Sequence, residues 1–425
     1  MTRNIAFRRF NGGHVLHFVS LSVVGLLVLS CFVSVFSPDY LFASASSVQT
    51  VSNEAELDKA VTNASVSTVI ALTNDITLTK QLLISAGKDI TLTSNTNGAK
   101  FFKLIGADNQ STIYVEQMGV LRVAGIIVTH DITSVGTGIT VRETGKLVLS
   151  EGEISGNMGS DKTSETTTWS FTMAGGVYNM GTFEMTGGVI ANNTSPISGG
   201  GVYNWHIFKM FGGVIANNSA FALGGGVYNQ NTFGIWGGVI ANNTARHAGG
   251  GVLNYGSLTL SDGVIINNTA TDGGGVYFSG SMFTMDSGEI SGNTATSEGG
   301  GVFVMSNIFQ LYGGKISDNQ AINGGGIYVT TKQHLIVSND VQFSNNYASK
   351  SYNRDPLDDE IYRSTISSDV TWTTPFTQGY NNYDIGGYTE GRQKLTAYTV
   401  TIASFILGFV LFTLLFVYLK RRPTN

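Results

Sequence analysis

The chain has 425 residues, of which only 12% are charged, and its 24 basic and 29 acidic side chains give a formal charge of −5. Glycine contributes 54 residues and proline only five, so the composition excludes a disordered polyelectrolyte and, without a Gly-X-Y period, a collagen. The negative net charge offers no basic surface for nucleic acid. The single cysteine, Cys31, excludes an intrachain disulfide and a cysteine-based zinc site.

The N-terminus has the order of features that is typical of a secretory signal. Three arginines precede a 22-residue apolar run at 15–36, which leads to Ala43-Ser44-Ala45. This order of basic, apolar and small residues predicts that residues 1–45 are a signal peptide or an N-terminal membrane segment. Cleavage after Ala45 and retention as an anchor both stay open, because 22 residues at ~1.5 Å each nearly cross a bilayer core.

The C-terminus predicts a membrane span. Residues 395–419 contain no charge and lie between Lys394 and the basic triplet at 420–422. A run of this length crosses the hydrocarbon core, and the basic tail at 420–425 is expected to stay cytoplasmic. We therefore expect a single-pass protein of the cell membrane whose residues 46–394 lie outside the cell.

Between these segments the chain repeats with a period near 25. The motif Gly-Gly-Val/Ile recurs with its last residue at positions 177, 202, 227, 252, 276, 302 and 327. A second motif, Ile/Phe-x-x-Asn, ends at Asn157, Asn193, Asn218, Asn243, Asn268, Asn293, Asn319 and Asn346. Self-similarity at this period is typical of a solenoid.

Alternating residues inside each unit predict short strands rather than helices. Phe183 and Met185 are two residues apart, and the same spacing of large apolar residues recurs in every following unit, which places both on one face of a strand. We expect three such strands per unit, stacked as an all-β parallel β-helix over residues 66–372. Residues 46–65, with an amphipathic helix at 54–63, are expected to cap it, and 373–394 to form a linker. The asparagine that ends each unit is expected to form an amide ladder at a corner.

The two motifs resemble those of a known group of surface proteins. Gly-Gly-Val-Tyr and Ile-x-x-Asn are similar to the paired GGA[ILV] and FxxN motifs of chlamydial polymorphic membrane proteins, and equally to adhesin-like repeats of the pectin-lyase-like superfamily. The resemblance covers about residues 150–350 and implies a right-handed parallel β-helix. It implies no single function, because that superfamily includes lyases, hydrolases and non-catalytic adhesins. The chlamydial proteins end in an outer-membrane barrel and this chain in one apolar segment, which favours a single-membrane envelope.

Residues for catalysis are scarce. A hydrolase needs two carboxylates near one bond, and we assign the aspartates at 262, 272, 286 and 318 to different columns, with no column supplying a pair. The histidines at 130, 206, 247 and 334 do not share a column either. We therefore predict no catalytic residues, no metal site and no cofactor.

Aromatic residues are the main candidates for binding. If Val177 and Asn179 point inward, Tyr178 points outward, and the 25-residue step aligns it with Tyr203, Tyr228, Tyr277 and Tyr328. Trp205, Phe211 and Trp236 lie near the next corner. Exposed aromatic side chains suit sugar stacking or protein contact. The alternative is that like residues on neighbouring coils stack to stabilise the helix.

Six Asn-x-Ser/Thr sequences are candidates for glycosylation. Their asparagines are Asn63, Asn109, Asn192, Asn217, Asn242 and Asn267. The last four share one corner column, so they are equally interpretable as a repeated turn motif.

Taken together, the sequence predicts a membrane-anchored, extracytoplasmic β-helix without catalytic activity, adhesin-like or structural in the envelope, with glycans or surface proteins as partners. The alternative is a cell-surface polysaccharide lyase or glycoside hydrolase.

Overall fold

The computed structural model describes residues 48–64, 67–95, 100–160, 174–350, 371–372 and 382–387. Every strand pair there is parallel, and each coil of the chain places its strands directly on those of the coil before. The prediction of a parallel β-helix with about 25 residues per coil is therefore confirmed. One sheet, of eleven strands, receives one strand from each coil. The described part of the chain therefore forms eleven coils.

The strands form a long sheet of 18 strands, a second sheet of 11 and a short sheet of 7. The long sheet contains β1 (Gln49–Val51), β2 (Thr68–Leu72), β3 (Ile76–Thr77), β5 (Asp89–Ser94), β6 (Lys103–Gly106), β8 (Val120–His130), β10 (Lys146–Ser155), β12 (Thr182–Met185), β13 (Val189–Ala191), β16 (Ile207–Met210), β17 (Val214–Ala216), β20 (Thr232–Ala241), β23 (Ser257–Ile266), β26 (Met282–Met285), β27 (Glu289–Ser291), β30 (Phe309–Ser317), β33 (Leu335–Ser344) and β35 (Thr371–Trp372). The second sheet contains β4 (Leu82–Ile84), β7 (Ile113–Val115), β9 (Ile139–Val141), β11 (Val177–Asn179), β15 (Val202–Asn204), β19 (Val227–Asn229), β22 (Val252–Asn254), β25 (Val276–Phe278), β29 (Val302–Val304), β32 (Ile327–Val329) and β36 (Ile385–Gly387). The short sheet contains β14 (Thr194–Ser195), β18 (Ser219–Ala220), β21 (Thr244–Ala245), β24 (Thr269–Asp272), β28 (Thr294–Glu298), β31 (Gln320–Ala321) and β34 (Tyr347–Ala348).

The long sheet bends once within each regular coil, at a glycine. Some coils cross the bend as one strand, such as β20, and others as two, such as β12 and β13. At this bend Gly238 has a φ of +92°, and a Cβ there would lie 2.6 Å from Cε of Met210 in the preceding coil. Only glycine meets both conditions, which explains the glycine at this corner.

The core is a set of inward columns, as the alternation predicts. Phe183, Phe208 and Phe233 are fully buried and stack ring on ring, with centroids 4.5 Å apart. In the second sheet Asn179 lies inside and donates from Nδ2 to Oδ1 of Asn204 at 2.7 Å. Phe278 occupies the same column three coils beyond Asn204 and is also fully buried. The prediction that this column faces inward is confirmed.

The predicted amide ladder is present from Asn157 to Asn346. In a typical rung, Asn218 donates from Nδ2 to Oδ1 of Asn243 at 3.0 Å and to the carbonyl of Ile190, in the preceding coil, at 2.9 Å. Its backbone N–H also donates to Asn243 Oδ1, at 2.9 Å. The ladder thus satisfies buried corner groups that the strands leave unpaired.

The short sheet was not predicted. Its strands are mostly two residues long, too short to show an alternation, and their inward residues are small: Ser195, Ala220, Ala245, Ala270, Ala295, Ala321 and Ala348. In the described part of the chain, the seven coils that contribute to this sheet therefore have a fourth strand besides the three expected.

The solenoid also reaches further than residue 372. Strand β36 pairs with β32, so a coil continues into the segment expected to be a linker. Here Asn382, Tyr383 and Asp384 replace the usual glycine triplet, and the carbonyl of Asp384 accepts from the N–H of Ile327 at 2.8 Å.

The N-terminal cap has the predicted helix, α1 (Glu54–Asn63). Asn53 Oδ1 accepts from the N–H of Glu56 at 3.0 Å, and the Glu56 carboxylate accepts from the N–H of Ser52 at 2.7 Å. This reciprocal capping fixes the start of the helix. Leu57 and Val61 are buried on the side that faces β1 and β4. Strand β1, which precedes the helix and pairs with β2, was not predicted.

The predicted signal segment (1–45), membrane span (395–419) and tail (420–425) lie outside the described residues. Among the helices that are described, none combines the length and the apolar composition that crossing a membrane requires.

Candidate functional site

The outward aromatic column lies where the alternation places it, outside the inner core. We call it the aromatic seam; it consists of Tyr178, Tyr203, Tyr228, Leu253, Tyr277, Phe303 and Tyr328. These residues form an apolar cluster separate from that of the inner core.

The seam is not exposed, which corrects the sequence-based expectation. Tyr178 is 2% exposed and Phe303 7%, and only Tyr328 is half-buried. The rings stack on one another: centroids lie 4.5 Å apart for Tyr203 and Tyr228, and 4.8 Å apart for Tyr277 and Phe303. Faces that contact each other are closed to a sugar, so the seam is arranged as packing. Whether it binds a partner stays a prediction.

Residues on both sides of the seam explain the burial. Met180, Leu223, Tyr255 and Met305 pack against it. On one side the chain turns closely at the glycine triplet: a Cβ on Gly199 would lie 2.8 Å from the Cβ of Tyr203. Single-strand alternation cannot reveal this, because the covering residues come from the adjoining corners.

The seam is also electrically neutral. Gln230 Nε2 donates to the Tyr228 hydroxyl at 2.6 Å, and the Tyr277 hydroxyl donates to Sδ of Met305 at 2.7 Å. Burial raises the pKa of Tyr203 to about 12 and that of Tyr255 to about 12. The phenols therefore stay protonated at any physiological pH.

Two carboxyl groups lie side by side next to the seam, contrary to the expectation that no column supplies a pair. Asp272 in β24 is in register with Glu298 in β28, so their backbones are one strand spacing apart, about 4.8 Å. The N–H of Glu298 donates to Oδ1 of Asp272 at 3.2 Å. The sequence signal was available: both residues directly precede a Gly-Gly-Gly triplet, 26 positions apart.

Burial dominates the electrostatics of this pair. It raises the pKa of Asp272 to about 6. Burial, and next the charge of Asp272, raises the pKa of Glu298 to about 7, while hydrogen bonds with Tyr328 and Asn323 oppose that rise. Two coupled carboxyl groups that titrate near neutrality can hold one proton between them.

Three aromatic residues are substantially exposed on neighbouring coils. Trp205, Phe211 and Trp236 are 37%, 48% and 43% exposed, and we call Phe211 and Trp236 the lateral patch. The rings of Phe211 and Trp236 stack with centroids 5.1 Å apart. Trp205 stacks on Tyr203 of the seam at 5.7 Å.

A glycine fixes the position of Trp236. A Cβ on Gly234 would lie 2.2 Å from Cη2 of Trp236, so the indole occupies the space that a side chain would take. The matching residues on the adjacent coils are Lys209 and Thr259. The glycine therefore lets this one indole lie over the strand.

Four of the sequon asparagines share one backbone conformation. Asn192, Asn217, Asn242 and Asn267 have φ of 56–57° and are exposed, while the asparagine after each is buried in the ladder. Asparagine tolerates this left-handed conformation, so turn geometry accounts for the motif. Asn63 is the last residue of α1, and Asn109 has a φ of 60°. Both are exposed, and glycosylation stays a prediction for all six.

No family model, no curated protein and no solved structure matches this chain.

Proposed function

We propose that this chain is a membrane-anchored, extracytoplasmic β-helix protein that binds a partner without catalysis, as an adhesin or as a structural part of the envelope. The anchoring and the location rest on the apolar segments at 15–36 and 395–419. The binding role rests on the lateral patch.

The patch has the chemistry of a contact site. Tryptophan is enriched among the residues that dominate binding energy, because one rigid side chain buries a large area at a small cost in entropy. Trp236 is held in place over Gly234 and against Phe211, so little freedom is left to lose on binding. A preorganised aromatic pair on a β-helix surface supports recognition of a glycan or a protein, and supplies no group for acid, base or nucleophilic chemistry.

Attachment of cells that display the full-length chain tests the binding role. We expect Phe211→Ala and Trp236→Ala each to reduce attachment to a panel of glycan-coated and protein-coated surfaces. Tyr312→Ala is the matched control, because Tyr312 occupies the same corner position three coils beyond Trp236 and is 46% exposed. Equal attachment by all variants would contradict the proposal.

Protease treatment of intact cells tests the location. We expect the β-helix to be degraded from outside while an epitope fused after residue 425 stays protected. Protection of the whole chain would contradict an extracytoplasmic β-helix.

A second candidate is hydrolysis of a polysaccharide, favoured by Asp272 and Glu298. Glycosidases that retain configuration place two carboxyl groups about 5–5.5 Å apart, one as acid and one as nucleophile. Adjacent strands provide a similar spacing, and the raised pKa of Glu298 suits an acid. Incubating the full-length protein with a polysaccharide panel, with and without calcium, tests this candidate. Depolymerisation that is lost in both Asp272→Asn and Glu298→Gln would establish it and overturn the non-catalytic proposal.

A further inference from the structure

A histidine, not an asparagine, occupies the first rung of the amide ladder. His130 ends β8, one coil before Asn157, and is 5% exposed. Its Nδ1 lies 2.8 Å from Oδ1 of Asn157, and its Nε2 lies 3.0 Å from the backbone carbonyl of Gln110. The ring therefore links three successive coils.

Both partners of the ring are acceptors. The carbonyl of Gln110 can only accept. The orientation of Asn157 is fixed by its own donation from Nδ2 to Oδ1 of Asn193 at 2.9 Å and to the carbonyl of Val128 at 3.2 Å, so its oxygen faces His130. A neutral imidazole has one N–H, and only the imidazolium has two.

The amide rungs show what this position requires. Asn193 donates from Nδ2 to the next rung, Asn218 Oδ1, at 3.0 Å, and to the carbonyl of Ile154 in the preceding coil at 2.8 Å. His130 makes the same two connections, forward to Asn157 and back to Gln110. A primary amide supplies two N–H groups at any pH, whereas histidine supplies two only when it carries a proton.

The surroundings leave no substitute for a lost bond. A Cβ on Gly106 would lie 2.5 Å from His130 Nε2, and one on Gly136 would lie 2.4 Å from it, so the ring fills its site. Thr112 Oγ1, 3.4 Å from Nδ1, is the other polar neighbour, and its hydroxyl donates to the carbonyl of Thr129 at 3.2 Å.

No charged side chain contacts the ring within the described residues. The charged residues nearest to it on the surrounding elements, Lys103, Asp108 and Asp131, are exposed. Asp108 instead accepts from the N–H of Val135 at 2.9 Å.

We propose that His130 is a proton-dependent clasp that joins the N-terminal coils to the amide ladder. The protonated ring makes both connections between coils. Loss of the proton removes one of them and loosens the junction between Gln110 and Asn157, while the rest of the ladder stays intact.

Hydrogen exchange on the full-length protein tests the clasp, with His130→Asn as the key variant because asparagine supplies both N–H groups without a proton. After correction for intrinsic exchange rates, we expect wild-type protection over residues 103–141 to fall roughly fivefold relative to the variant between pH 5.5 and pH 8, as expected for one lost hydrogen bond. The coils at 264–344 serve as an internal control and should not differ.

Nitrogen-15 spectra of the wild-type imidazole give a second readout that needs no variant. We expect both ring nitrogens of His130 to carry a proton in the folded protein at pH 5.5. An unprotonated ring nitrogen at that pH, or the same pH dependence of exchange in wild type and His130→Asn, would overturn the proposal.

Discussion

At the scale of single residues, consecutive asparagines in one corner have different tasks. Asn242 is exposed and adopts the left-handed conformation that the turn needs. Asn243 is buried: it donates to Asn268 and to the carbonyl of Ile215, and accepts from Asn218. The two positions should therefore respond very differently to substitution.

Asn243→Ala should destabilise the protein by at least ~2 kcal/mol, because it leaves buried groups of Asn218 and Ile215 without partners, at ~1–3 kcal/mol each. Asn242→Gly is the matched control, since glycine accepts the same φ, and should change the stability by less than ~0.5 kcal/mol. Chemical unfolding of the full-length protein measures both. Similar losses for the two variants would show that the ladder does not carry this stability.

Asp272 and Glu298 make stability depend on pH with a defined sign. Their pKa values in the folded protein, about 6 and about 7, exceed the ordinary 3.8 and 4.5. The folded state therefore binds more protons than the unfolded state between about pH 4 and pH 7, and stability falls as the pH rises through that window. Asp272→Asn removes one charge and relieves its effect on Glu298, so the melting temperature of the variant should fall less than that of wild type between pH 5 and pH 8. Parallel pH profiles would be inconsistent with a coupled pair.

At the scale of elements, the sequence predicts those parts of the fold that are long enough to show a period. The inward columns around Phe233 and the helix at 54–63 follow from spacing alone. The two-residue strands of the short sheet do not, because two residues define no alternation. The burial of Tyr203 could not be predicted either, since it depends on how the glycine corner brings Leu223 and its neighbours against the rings. The Asp272–Glu298 pair could have been predicted, because the two residues are 26 positions apart and each directly precedes a Gly-Gly-Gly triplet.

The inward column gives a direct prediction for one strand. Phe233→Asp removes a ring stacked 4.5 Å from Phe208 and places a charge in the core beside Leu258. Loss of the ring alone costs ~3–5 kcal/mol, and an unpaired buried charge adds to it. Thr259→Asp, on the outward side of the neighbouring strand, is the control and should be nearly neutral. Unchanged melting of Phe233→Asp would refute the orientation of this column.

At the scale of the whole molecule, each coil of the solenoid packs on the coils before and after it, so stability is a sum over neighbouring contacts. Damage at Phe233 should therefore spread to the adjacent coils before it reaches the ends. Exchange measured coil by coil in Phe233→Asp should show the greatest loss of protection at 207–266 and little loss at the N-terminal helix. Uniform loss along the chain would instead indicate one cooperative unit.

The proposed function depends on the lateral patch, and Gly234→Thr tests it most directly. Threonine already occupies this outward position on the next coil, at Thr259, so the strand should tolerate it, while its side chain takes the space in which the Trp236 indole lies. No aromatic residue is removed. We predict that the full-length Gly234→Thr protein folds and melts like wild type. Cells that display it should attach less well to the surfaces that wild type binds. Attachment equal to that of wild type, with the indole shown by fluorescence to be displaced, would contradict the account.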